Sequence, residues 1–278
     1  MALSGSTKLA GVMGWPVAHS RSPLLHNTWL AHYGIDGAYV PLPVAPADFA
    51  TAVRGLRAAG FRGVNVTVPH KEAALAVCDS VDDSARRAGA VNTLVFGPAG
   101  VHGSCTDGTG FLANLAAHGV DVANRRALLL GAGGAARAIA AALLDAGVAV
   151  TVANRTPARA AALAEALPGL RVLGWQDRGL ALGDFELLVN ASAGGMPGGS
   201  ALDHDLARAA PGLAVADIVY VPMQTDLLRA ARAHGLVAVG GLGMLLHQAV
   251  PGFAAWFGVT PAVDETIAAL VSADIPVS

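Results

Sequence analysis

Cysteine is scarce: the 278 residues hold only Cys78 and Cys105. Their spacing excludes a CxxC metal or redox pair, and two thiols in so long a chain make no disulfide framework. No metal site is expected, and a reducing, cytoplasmic setting fits. An excess of positive charge is missing too, with Lys+Arg 18 against Asp+Glu 20. Nothing there would hold a phosphodiester backbone, so nucleic acid is not expected as a partner. Aromatic residues are 5% of a sequence that is 54% hydrophobic. Ala, Val and Leu therefore carry the apolar load, as in helices packed on a parallel sheet. Residues 1–7 lack the charged start and apolar run of a secretory signal, so no targeting segment is expected. Residues 235–263 lack Asp, Glu, Lys and Arg, and that length would satisfy a membrane span. Gly240-Gly241, the polar pair His247-Gln248 and Pro251 interrupt it, so the expectation is a short strand, a glycine turn and one buried helix. No membrane partner is expected.

Apolar strands alternate with helical stretches along the chain, at 9–13, 38–44, 63–67, 127–130, 148–153 and 187–190. That alternation predicts an α/β protein with parallel sheets, and its length predicts two domains. Gly97-Pro98 and residues 100–107 read as a turn-rich stretch before a helix at 109–118, which puts the main hinge between about 100 and 126.

The second half opens on a strand, a tight turn and a helix: residues 127–130 run into Gly131-Ala132-Gly133-Gly134-Ala135-Ala136, and an apolar helix follows to Leu144. Such glycines let backbone approach a pyrophosphate, and the helix N-terminus offers unpaired N–H groups and partial positive charge. Ala136 stands where the fingerprint's third glycine would be, a replacement that the fingerprint tolerates. At the end of the next strand an NAD enzyme usually places a carboxylate for the ribose 2′-hydroxyl. Here Asn154-Arg155-Thr156 follows instead, and Arg155 with Thr156 and Arg159 offers donors for a 2′-phosphate. NADP is the expected cofactor; the alternative is that both arginines are solvated surface charges and Thr156-Pro157 only starts a helix.

In the first half, the strand at 9–13 ends near Ser20-Arg21-Ser22-Pro23. Ser22 before Pro23 reads as a helix N-cap, while Ser20 and Ser22 together read as donors for a small carboxylate. His19 and His26 are expected to be structural. In Asn65-Val66-Thr67-Val68-Pro69-His70-Lys71, alternation puts Asn65 and Thr67 on one strand face, and Lys71 is expected in the first turn of a helix. A cation is disfavoured there, so Lys71 either pairs with an acid such as Glu72 or has a role. Asn92-Thr93 and Thr106-Asp107-Gly108 add polar groups that are either turn chemistry or site chemistry.

Taken in order, these strings, with Gly89 to Thr93, Asp217-Ile218-Val219-Tyr220 and Gly241-Leu242-Gly243-Met244-Leu245, resemble the shikimate dehydrogenase family over nearly the whole chain. The resemblance implies an N-terminal α/β substrate domain with a mostly parallel sheet (1–107), a Rossmann-type NADP-binding domain (108–243), and a C-terminal helix (244–278) returning to the first. It implies that Ser20 and Ser22 bind the substrate carboxylate, and that Thr67, Asn92, Asp107 and Gln248 bind ring hydroxyls with Asn65 and Tyr220 nearby. Lys71 and Asp107 resemble the catalytic pair. Gly131, Ala132, Gly133, Gly134, Ala135, Asn154, Arg155, Thr156, Arg159, Ile218 and Gly241 are implied NADP contacts, with Asp83 and Ser192 near the nicotinamide. The implied activity is NADPH-linked reduction of 3-dehydroshikimate, by a monomer or homodimer. The alternatives are a quinate or aminoshikimate dehydrogenase, or a catalytically silent NADP-binding regulator. Two departures stand out: Cys105 replaces the usual Asn before Thr106-Asp107-Gly108, and Ser192 and Gly194 replace a Thr and a bulkier apolar residue.

Overall fold

The structure, a computed structural model, describes residues 3–196 and 205–277, so residues 1–2 of the stretch read above lie outside it. The chain divides into two units, Met1–Thr106 with Gln248–Ala273, and Asp107–His247 with Asp274–Ser278.

In the first unit the apolar runs become β1 (Lys8–Gly14), α1 (Ser22–His32), β2 (Gly37–Pro43), α2 (Phe49–Ala58), β3 (Gly63–Val66), β4 (Ser80–Val81), α3 (Asp83–Ala88), β5 (Thr93–Gly97) and β6 (Gly100–Ser104). The sheet order is β2-β1-β3-β5-β6-β4. β1 is parallel to β2 and β3, and β4 is parallel to β6, but β5 runs antiparallel to both β3 and β6. The turn-rich reading of 97–104 is thereby corrected. Phe96 faces Val101 and Gly97 faces Gly100, so only Pro98-Ala99 is loop and a two-residue hairpin occupies the stretch. Register sets Asn65 opposite Val12 on one side and Thr93 on the other.

In the second unit α4 (Asp107–Ala117) precedes β7 (Arg126–Leu130), α5 (Gly134–Asp145), β8 (Ala149–Ala153), α6 (Pro157–Ala166), β9 (Arg171–Leu173), β10 (Leu187–Asn190), β11 (Ala214–Asp217), α7 (Asp226–Ala233) and β12 (Val237–Val239). The order β12-β11-β10-β7-β8-β9, parallel at every pairing, is the doubly wound Rossmann arrangement. Both faces are buried. Ala127 and Leu129 pack into the core that contains Ile139 and Leu143, whereas Leu128 and Leu130 pack into one that contains Leu188 and Leu227. The period of two sorts one strand's side chains between two cores.

The uncharged run folds as β12 and then α8 (Gly241–Phe257), followed by α9 (Glu265–Ser272). α8 begins at Gly241, not Met244, and Pro251 lies inside it rather than breaking it. Proline removes one helical hydrogen bond, and burial of Ala249, Phe253, Trp256 and Phe257 along the same helix offsets the loss. Gly241 is the residue that fits because a Cβ there would collide with the Ile218 carbonyl. Among the described residues no helix is long and apolar enough to cross a membrane.

Candidate functional site

The first unit gathers a chain of buried polar groups at the carboxyl ends of β1 and β3. The Asn65 Nδ2 donates to the Asn92 carbonyl and the Thr93 hydroxyl, both at 3.1 Å. A carbonyl only accepts, so the amide orientation is fixed and Asn65 Oδ1 faces Tyr39, whose hydroxyl must be the donor in their 2.6 Å bond. Tyr39 is also hydrogen-bonded to Ser22. Its own proton is committed to Asn65, so in this pair Ser22 donates. On the other side Asn92 Oδ1 accepts from the Thr93 hydroxyl and the Thr106 amide, each at 2.9 Å. Asn92 Nδ2 reaches Gln248 Oε1 at 3.3 Å, and the Thr106 hydroxyl donates to the Gln248 carbonyl at 2.7 Å. Ser22, Asn65, Asn92 and Gln248, read from distant parts of the sequence, thus belong to one network.

Burial tunes this network. The Tyr39 phenol is held well above its ordinary range by desolvation, against the Ser22 hydrogen bond, so it stays a donor. Behind it lies His26, fully buried, its ring stacked on Tyr39 at 4.0 Å. Burial lowers the imidazole to about 3. His26 is a neutral packing ring, as expected.

Two local readings change. Ser22 is not the N-cap: that position is Arg21, whose own side chain makes no cap bond, and Ser20 Oγ accepts from the Ser22 amide at 3.3 Å. The Ser22 hydroxyl turns inward to Tyr39 instead. Lys71 is not in the first turn of an α-helix but in a turn before a short 3-10 helix, Ala73–Val77. The macrodipole argument for it therefore lapses. Its carbonyl accepts from the Val91 amide at 2.8 Å, which anchors its backbone one residue from Asn92. Thr67 continues from β3, with its amide on the Met13 carbonyl at 2.9 Å. Asp83 is the first residue of α3, where its carboxylate accepts from Arg86 at 2.8 Å.

In the second unit Gly131 ends β7 with φ at +113°, and a Cβ on it would lie 2.8 Å from the Ala191 carbonyl. Only glycine satisfies both conditions. Among the described residues no side chain caps the N-terminus of α5 and none crowds Gly133 or Gly134, so its first amides suit an anion. At the end of β8, Asn154 donates to the Thr156 carbonyl at 2.9 Å, and Arg155 and Arg159 are exposed. Residues 154–159, which follow β8, include no carboxylate, so they fit a phosphorylated ribose. Asp107 is buried at the start of α4, Tyr220 is half-buried beyond β11, and Ile218 packs beside Gly241. Ser192 donates to Asn190 Oδ1 at 2.7 Å.

Sequence reasoning passed over Tyr39, left Thr93 and Thr106, which orient the amides, as either turn or site chemistry, and gave no role to the buried Asn190, Asp217 and Thr225. One available signal was composition. Lys71 and Lys8 are the only lysines among 18 basic residues, so an ammonium at 71 stands out in a chain that otherwise uses arginine.

These features define a two-domain α/β oxidoreductase with a Rossmann-type NADP-binding domain. Family models for the shikimate dehydrogenase substrate binding domain, shikimate / quinate 5-dehydrogenase and the shikimate 5′-dehydrogenase C-terminal domain match residues 12–94, 113–197 and 241–271. The chain belongs to the shikimate dehydrogenase family. It is 66% identical to the shikimate dehydrogenase (NADP(+)) of Acidiphilium cryptum over 275 residues, covering 99% of each chain. The shikimate 5-dehydrogenase of Thermus thermophilus, solved with NADP(H) and shikimate, superposes with a TM-score of 0.86 at 40% identity, over 96% of this chain and 99% of that one. The quinate dehydrogenase of Corynebacterium glutamicum, solved with NAD, gives 0.87 at 30% identity, over 96% and 99%.

Proposed function

We propose that this chain catalyses the reversible NADPH-linked reduction of 3-dehydroshikimate to shikimate, a step of the pathway to chorismate and the aromatic amino acids. The observation that carries the reading is the oriented network from Ser22 through Tyr39, Asn65, Asn92 and Thr106 to Gln248, which suits a small polyol acid better than an apolar ligand. Ser20 and Ser22 take the carboxylate, the Ser22 hydroxyl turning its single proton from Tyr39 to the bound ligand. Thr67, Asn92, Asp107 and Gln248 take the ring hydroxyls, with Asn65 and Tyr220 as further substrate contacts. The unit Met1–Thr106 with Gln248–Ala273 serves the substrate, and the Rossmann unit serves NADP.

Gly131 to Ala135 and the α5 N-terminus would hold the pyrophosphate, Arg155 with Asn154, Thr156 and Arg159 the 2′-phosphate, and Ser192, Ile218 and Gly241 the nicotinamide half, with Asp83 a further contact. When bound, NADPH supplies the reducing equivalent. The chain's own part is the proton. Lys71 gives it to the substrate oxygen as negative charge builds there and takes it back in reverse, with Asp107 the second member of the catalytic pair. An arginine stays protonated in a protein and cannot do this, which supports the reading of a lysine in an arginine-rich chain. The proposal includes a cytoplasmic setting, a small-molecule substrate, no nucleic-acid or membrane partner, and a monomer or homodimer as the working form.

Because the same fold serves a quinate dehydrogenase, the test is a matrix of initial rates with shikimate, quinate and aminoshikimate, each with NADP and NAD. Shikimate with NADP should give the highest kcat/KM. A higher value for another pair would replace the substrate or cofactor assignment, and no turnover on any would favour a silent NADP-binding protein.

A further inference from the structure

One buried cluster in the Rossmann unit takes no part in the reaction just described. Asn190 and Asp217 are register partners at the carboxyl ends of β10 and β11, and their exposures are 0% and 2%. Asp217 Oδ1 accepts from Asn190 Nδ2 at 2.9 Å and from the Val219 amide at 3.0 Å. Its Oδ2 accepts from the Thr225 hydroxyl at 2.7 Å, and Thr225 caps α7 by taking the Leu228 amide. Asn190 in turn binds the next loop, accepting from the Ser192 amide at 3.1 Å and donating to the Gly194 carbonyl at 2.9 Å. One carboxylate therefore ties together three segments: the loop after β10, the turn after β11 and the start of α7.

The position of those segments gives the cluster its meaning. The loop after β10 includes Ala191, whose carbonyl closes over Gly131 of the phosphate turn. In a doubly wound sheet a dinucleotide lies across the switch between the first and fourth strands, here β7 and β10. Arg155 follows β8, on one side of that switch. The other half of the dinucleotide then lies over β10 and β11. We infer that Asp217 is a positioning residue for the nicotinamide half of the cofactor, acting through Asn190 and the Val219 amide on the loop after β10 and the Ile218 turn. This rests on the NADP reading above.

A carboxylate suits the task because three donors converge on it and it brings no proton of its own to satisfy. It is also costly to bury: desolvation pushes Asp217 up to about 6, against the hydrogen bonds from Thr225, the Val219 amide and Asn190. A valine there would fill a parallel strand end without that cost but would leave the Val219 amide, the Thr225 hydroxyl and one of the two Asn190 Nδ2 protons without their acceptor.

The test divides the cofactor. Dissociation constants for NADP and for adenosine 2′,5′-bisphosphate, which has the adenine and 2′-phosphate but no nicotinamide, are measured calorimetrically for wild type, Asp217→Ala and Asp217→Asn. Asp217→Ala should weaken NADP about tenfold and leave the bisphosphate within about twofold. Asp217→Asn, which keeps the shape and an acceptor for two of the three donors, should shift NADP the same way by about threefold, and decides the matter if the alanine variant does not fold. Equal losses for both ligands, or no loss for either, would overturn the inference. A wild-type protein that binds neither ligand would overturn the cofactor reading, and this inference with it.

Discussion

Tyr39→Phe removes one hydroxyl from the middle of the substrate network and little else. The ring stays, so its 4.0 Å stack on His26 stays and no cavity opens. What is lost is the 2.6 Å bond to Asn65 Oδ1. That oxygen belongs to a residue only 5% exposed, and its amide cannot turn, because Nδ2 is held by the Asn92 carbonyl and Thr93. A buried acceptor left without a donor costs about 1–3 kcal/mol. The Ser22 hydroxyl also loses its acceptor, so about 2 kcal/mol is the expected total. Urea unfolding followed by tryptophan fluorescence measures it, since Trp29 and Trp256 lie in the same unit. A double-mutant cycle with Asn65→Ala should show a coupling of about 1 kcal/mol or more. If Tyr39→Phe unfolds at the wild-type midpoint, or the two changes add within about 0.3 kcal/mol, the orientation assigned to this network is wrong.

Three further outcomes follow from the same geometry. Arg155→Ala should weaken NADP about tenfold and NAD hardly at all, a modest factor because the guanidinium is exposed and screened; equal losses would remove the 2′-phosphate assignment. Ser22→Ala should raise KM for shikimate about tenfold with NADP affinity unchanged, and should not cost a helix cap, because Ser22 does not provide one; unchanged KM would contradict it. His26, lowered by burial from 6.5 to about 3, binds a proton in the unfolded chain before the folded one. Its contribution is whole above pH 6.5 and declines as pH falls from there toward 3, by about 1.4 kcal/mol per unit. His26→Phe should flatten the urea midpoint against pH over that window, and an unchanged slope would assign the acid sensitivity elsewhere.

The Rossmann half was legible because its signals are local. A strand, Gly131 with its neighbours, and an apolar helix fall within 20 residues, and the end of β8 shows directly that no acid follows. The substrate half was read through single residues, and there local signals misled. Ser22 before Pro23 has the pattern of a cap, yet Tyr39, 17 residues on, draws its hydroxyl inward. Lys71 follows a strand and precedes an apolar stretch, but Pro69 and a turn intervene before the 3-10 helix. β6 is short and begins at glycine, so its pairing with β5 rather than its own composition makes it a strand. The pairing of the buried polar groups was invisible for the same reason. Tyr39 meets Asn65 across 26 positions and Asn190 meets Asp217 across 27, and only sheet order brings either pair together.

The central claim is that this chain reduces a ketone with a proton from Lys71. Its most direct test is the kcat of Lys71→Met, which keeps most of the stem and removes the ammonium, beside Lys71→Arg, which keeps the charge but cannot release a proton. With shikimate and NADP at saturation, both folded variants should lose about 10² to 10⁴ in kcat while KM for shikimate moves far less. Near-normal kcat in either variant, or a change confined to KM, would make Lys71 a binding or surface residue and contradict the account.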